Sequence, residues 1–248
     1  MAEENVAPPT IQQTDFEKIT TLVSAEFQVE EALLEHNIPT YYLKQPQETK
    51  QAFLRLLKKL DSMNLIAILR RIDNRIVLRV ISKPVPKPSN IMVNWILFFA
   101  TVATTFLTGY LISQGIIELA GQVINPWIGG TAFMVAIMSV LGSHEMGHKL
   151  TADKNDVEAT PPYFIPGPPP IFGIFGIGTF GAVIMQKSLP PNRDSLFDVG
   201  SSGPIIGFAI AAVVTAFGLT LSIPSPPSEE VGTLQPTILF ILLYRLLG

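Results

Sequence analysis

Residues 91–112 read IMVNWILFFATVATTFLTGYLI. A bilayer takes about 20 apolar residues in a helix to cross, so this stretch predicts a membrane span. Trp95 and Tyr110 stand towards its two ends, where amphipathic rings anchor a helix at the membrane surface. The uncharged run around it covers residues 88–117, and two more follow. Residues 119–143 form a second, with its spanning part beginning near Trp127, and residues 199–228 a third, containing PIIGFAIAAVVTAFGLTL. A fourth, PTILFILLYRLLG from Pro236, holds only about a dozen apolar residues and is too short to span.

Outward from these runs the charge is uneven. Charged residues are 15% of the 248, against a usual quarter, and mean hydropathy is +0.38. Residues 1–90 carry 12 of the 17 Lys and Arg and 11 of the 20 Asp and Glu. The sequence therefore predicts a polytopic α-helical membrane protein with a small N-terminal α+β soluble domain. Residues 1–82 form that domain, 83–90 (KPVPKPSN) a stiff Pro-rich linker, and 91–248 the membrane domain. A net charge of −3 with no basic stripe excludes an electrostatic footprint for nucleic acid. The absence of cysteine excludes disulfides, thiolate metal sites and thiol nucleophiles. The opening MAEENVAPPTIQQTD is acidic and polar, unlike a signal peptide.

Within residues 1–82, apolar positions from Phe16 to Leu34 recur at roughly helical spacing and predict a helix over 14–37. His36 then reads as a residue near that helix's C-terminus. Residues 40–43 read as a strand and 48–63 as a second amphipathic helix. Residues 65–70 and 76–81 read as a hairpin around Asp73 and Asn74. No catalytic cluster stands out there. Basic residues predict the topology: Arg70, Arg71, Arg75, Arg79, Lys83 and Lys87 precede the first span, and Lys149, Lys154, Lys187 and Arg193 follow the second. The positive-inside rule puts both groups, and so the N-terminal domain, on the cytoplasmic side.

The second span ends in Ser143-His144-Glu145-Met146-Gly147-His148-Lys149, an H-E-x-x-H motif. Residues four apart on a helix differ by about 40° of net rotation and about 6 Å of rise, so one Zn2+ is within reach of both imidazoles. Glu145, one position along, stands beside the metal as a general base for a zinc-activated water. With three histidines and 13 glutamates in the chain, the motif arises by chance in about 0.2% of such sequences. Ionisable groups at the end of a long apolar run point to function by default.

An H-E-x-G-H motif on a membrane helix resembles the site-2 protease family of intramembrane zinc metalloproteases, archaeal and plastid-type members with an N-terminal soluble domain in particular. The stretch from Gly176 (GIGTFGAVI) is similar to the family's edge strand after the zinc helix. The stretch from Arg193 (RDSLFDVGSSGP) is similar to its D-x-G-x-x-G-P start of the next span, and PPYFIPG from Pro161 is also similar. The resemblance implies an intramembrane metalloendopeptidase with His144 and His148 as metal ligands and Glu145 as the catalytic base. It implies Zn2+ as cofactor, and a transmembrane protein within the lipid bilayer as substrate. The family completes its zinc site with an Asp-Gly on a later helix, and no Asp here is followed by Gly. The sequence thus reads as incomplete at its C-terminus, with the third ligand expected beyond Gly248 and Asp198 as a weak internal candidate. Asp153, Asp156 and Glu158 read as a solvated loop. Glycines and prolines over 168–181 argue against another span at 171–186; residues 179–186 read instead as a strand lining a cavity beside the metal, its edge open to an added substrate strand. The alternative function is a catalytically inactive membrane scaffold binding metal or partner helices.

Overall fold

The protein is described by a computed structural model covering residues 13–84, 88–120, 125–170, 176–221 and 237–247. The opening residues 1–12, part of the Pro-rich linker and residues 171–175 of the glycine-rich stretch lie outside them. The chain forms two compact units, Met1–Pro86 and Lys87–Gly248.

In the first unit the order is α1 (Gln13–Glu26), β1 (Val29–Glu35), β2 (Ile38–Leu43), α2 (Lys50–Asp61), β3 (Leu65–Ile72) and β4 (Arg75–Ser82). The strands make one antiparallel sheet in the order β1-β2-β4-β3. Strand alternation puts Tyr41, Leu78 and Val80 on the helix side, where they are buried with Ile19 and Val23 of α1 and Leu56 and Leu60 of α2. Both hairpins turn in two residues, His36-Asn37 and Asp73-Asn74, all at positive φ between 46° and 64°, as type I′ turns require. The helix expected over 14–37 therefore stops at Glu26, and His36 is a turn residue rather than a helix terminus. The helical spacing misled because Leu33 and Leu34, on an edge strand, are 38% and 46% exposed and contribute nothing to the core. Gln47 fixes the change of direction: its side-chain amide accepts from the Gln28 N–H (3.0 Å) and donates to the Gln28 carbonyl (3.1 Å).

The second unit carries α3 (Ile91–Ala120), α4 (Pro126–Lys154), β5 (Tyr163–Pro166), β6 (Thr179–Val183), α5 (Arg193–Leu221) and α6 (Ile238–Leu247). The helices α3, α4 and α5 are long and apolar enough to cross a membrane. The ten residues of α6 rise only about 15 Å, half a hydrocarbon core. Asn125 caps α4, its side chain accepting from the Trp127 N–H at 3.0 Å, with Pro126 in the first turn. Asn192 does the same for α5 by accepting from Ser195 (2.8 Å). That cap starts α5 six residues before the uncharged run.

The central helix is α4, packed on both α3 and α5. At the α3 contact Gly109 meets Gly130, and a Cβ on Gly109 would strike Phe133. Close approach is what small residues allow where lipid supplies no hydrophobic drive between helices. Tyr110, Phe106 and Trp127 cluster beside it, with Tyr110 and Trp127 centroids 5.3 Å apart.

A two-stranded hairpin, β5 against β6, packs on α3 in the register Tyr163↔Val183, Phe164↔Ala182 and Ile165↔Gly181. An Ala159↔Gln186 bridge continues the pairing, so the strand expected over 179–186 is regular to Val183 and bridged again at Gln186. Asn94 donates to the Pro161 and Pro162 carbonyls (3.1 and 3.0 Å), and Thr104 to the Gly178 carbonyl (2.6 Å).

Candidate active site

Three elements converge on the H-E-x-x-H turn of α4. His144 and His148 lie four residues apart on one face, and their Nε2 atoms stand 3.2 Å from each other with the rings at 78°. Two ligands of a tetrahedral Zn2+, each about 2.0–2.1 Å from the metal, lie about 3.3 Å apart. The separation in this structure is nearly that edge, so the donor set fits zinc.

A neighbouring helix fixes one tautomer. His148 Nδ1 is 2.6 Å from the Val199 carbonyl of α5, and a carbonyl only accepts, so Nδ1 carries the proton. Nε2 is left with its lone pair available to a metal, the arrangement that orients zinc-binding histidines generally. The Ser202 hydroxyl donates to the Gly147 carbonyl at 3.0 Å, with the Val199 carbonyl at 2.9 Å. It ties the α4 turn to the α5 segment that orients His148.

Opposite the two imidazoles α5 presents glycines. An ideal Cβ on Gly203 would clash with the His148 ring, and one on Gly207 would come within 2.9 Å of His144 Nδ1. These glycines are four apart, matching the four-residue spacing of the histidines they face. On α4, Gly147 has the reciprocal role: its Cβ would meet the Ser202 carbonyl and Gly203 Cα.

Glu145 is buried, at 7% exposure, and does not stand between the two imidazoles. It lines a cavity of about 280 Å3 with His148, Ala182, Val183, Ile184, Gln186, Val199 and Gly200. The Ile184 backbone amide hydrogen-bonds to it. The cavity places the carboxylate, one imidazole and the 182–186 strand edge around a common space.

Among the described residues no third His, Cys, Asp or Glu joins the histidines. Asp198, the internal candidate, is exposed on α5, while its neighbour Val199 is the residue turned towards α4. The helix period is the reason: adjacent residues are about 100° apart, so both cannot face His148. Asp153 pairs with Lys149 at 2.5 Å on the exposed end of α4, and Asp156 and Glu158 are exposed beyond it. Sequence reasoning missed the Val199 carbonyl, Ser202 and Gly207. A backbone acceptor leaves no mark in a sequence, whereas the Gly203/Gly207 pair was visible as a spacing without a partner.

The comparisons with known proteins now bear on this geometry. Residues 132–244, from within α4 through most of α6, match the model of peptidase family M50. The chain is 32% identical over 101 residues to the probable zinc metalloprotease EGY2, chloroplastic, of Arabidopsis thaliana, covering 41% of this chain and 16% of that protein. It is 35% identical over 103 residues to the probable zinc metalloprotease EGY1, chloroplastic, of Oryza sativa subsp. japonica, covering 41% and 16%. The Arabidopsis EGY1 protein is 33% identical over 104 residues, covering 42% and 18%. The chain thus spans about a sixth of the length of the curated relatives it matches. No solved structure matches. Three apolar helices, two facing imidazoles beside a buried glutamate and the match over 132–244 point the same way: over those residues this membrane chain is similar to peptidase family M50, the site-2 protease family.

Proposed function

We propose that this chain is the zinc-binding part of an intramembrane metalloendopeptidase that hydrolyses a peptide bond in a transmembrane segment. The observation that carries the reading is the pair of Nε2 atoms 3.2 Å apart with Glu145 buried beside them in an open cavity. The zinc metalloproteases among its relatives support Zn2+ as the metal. His144 and His148 hold it; bound zinc supplies Lewis acidity for water and for the scissile carbonyl. The Val199 carbonyl keeps His148 in its metal-binding tautomer. Glu145 takes the proton from the attacking water and returns it to the leaving amine. The β6 edge binds the substrate backbone as an added strand, which straightens a segment whose helical turns would otherwise shield the bond. Apolar helices around the site keep it in the bilayer, and the basic residues support a cytoplasmic N-terminal domain.

The test is cleavage of a transmembrane substrate by the full-length protein, with zinc read by elemental analysis. Glu145→Gln is expected to keep zinc and lose about 10²–10⁴ of the rate. His144→Ala with His148→Ala is expected to lose zinc altogether. Zinc retained by the double variant, or cleavage undiminished in Glu145→Gln, overturns the assignment. Zinc binding without cleavage in any variant would favour a metal-binding scaffold.

A further inference from the structure

Three glycines of α5 lie at i, i+3 and i+7 on the face turned to the site: Gly200, Gly203 and Gly207. Two of them are explained by the imidazoles they make room for. Gly200 is not. A Cβ there meets nothing within 4 Å, and the space beside it is the cavity shared with Glu145 and His148. Its small size makes room for no protein atom.

Resting on the peptidase reading, we propose that this cavity receives the substrate side chain on one side of the scissile bond, and that Gly200 sets the size of side chain admitted. Around the reactive groups the walls are Ala182, Val183, Ile184, Val199 and Gly200, with Gln186 at the polar end. That lining suits an uncharged aliphatic side chain of a membrane segment. A carboxylate would face Glu145, and an ammonium would pair with it and hold it from proton transfer. A strand paired along 182–186 sends alternate side chains to opposite sides, so one residue enters the cavity while its neighbours turn away.

Two measurements test the proposal in the full-length protein. First, kcat/KM is compared for substrates with Ala, Leu or Phe at the residues flanking the mapped cleavage site. Gly200→Val is expected to lower cleavage of the Leu and Phe substrates at one flanking position at least about tenfold relative to Ala, in keeping with what a methylene is worth in an apolar pocket. Ala182→Leu narrows the opposite wall and is expected to shift preference the same way, should Gly200→Val fail to fold. An unchanged ranking in folded, zinc-loaded variants overturns the proposal. Second, these 248 residues hold no cysteine, so Gly200→Cys in a Glu145→Gln background, with any cysteine outside them replaced by Ser, can be cross-linked by mild oxidation to substrates bearing single cysteines. Cross-linking is expected to concentrate at one flanking residue, and a flat profile along the substrate overturns the pocket. This second arm needs binding and no turnover. Absence of cleavage by the wild type therefore falls on the peptidase reading, while the cross-linking profile still decides the pocket.

Discussion

His148 is oriented by a backbone carbonyl on a neighbouring helix, and its position depends on residues that carry no charge. The carbonyl of Val199 sets the tautomer, and the missing side chain of Gly203 leaves room for the ring. Gly203→Ala is therefore expected to displace His148 and weaken zinc about 10–100-fold, the range typical of groups that orient a ligand. Gly200→Ala, with open space around its Cβ, is expected to leave zinc affinity unchanged. Competition with a chelator at graded concentrations reads both. Asp198→Ala is expected to leave zinc content at the wild-type level, because Asp198 is exposed and apart from the imidazoles. A loss of zinc in that variant would restore it as a ligand.

At the scale of the element, the β5–β6 hairpin owes its place to α3. Thr101, Thr105 and Thr108 are fully buried, and Thr104 donates to the Gly178 carbonyl at 2.6 Å. Gly178 sits at φ +78°, and a Cβ there would run into the α3 backbone at Thr104 and Thr105. Thr104→Val keeps the shape and removes one of two donors to the Gly178 carbonyl, which retains the Gly167 N–H at 3.0 Å, so the loss is that of one hydrogen bond, about 0.5–1.5 kcal/mol. It is expected to lower the thermal midpoint and, with the hairpin as the proposed substrate edge, to raise KM more than it lowers kcat. Thr104→Ser, which keeps the hydroxyl, is expected to recover most of both.

In the first unit Glu26 accepts from Lys59 (2.6 Å) and Arg55 (2.8 Å), tying α1 to α2. Those hydrogen bonds, Lys59 first, hold its carboxyl below the usual range. The stabilisation is therefore complete above the unfolded value of about 4.3 and is lost as pH falls through the lower folded value. Hydrogen exchange of α1 is expected to quicken in that acid window, and less so in Glu26→Gln.

For the whole molecule, the distribution of Lys and Arg predicts that cysteines replacing Lys87 and Lys187 label from the same face of the membrane. Labelling from opposite faces would revise the number of spans between them. The spans themselves were legible without any fold, because a bilayer demands a run of apolar residues of fixed length, and 91–112 supplies one whatever it packs against. The closeness of His144 and His148 was legible too, because both sit on one helix and the helix period alone brings them together. The α2 helix and the β3–β4 hairpin were equally local, marked by periodicity and by Asp73-Asn74. What only the tertiary structure decided are relations between segments. Residues 29–35 became a strand because β2 offered pairing, against their own helical spacing. Asp198 was turned aside and Val199 turned inward by the rotation of α5 on α4, a quantity set by packing at Gly147 and Gly203. Local rules are written in consecutive residues, whereas a carbonyl 51 residues away from His148 has no side chain by which a sequence can announce it.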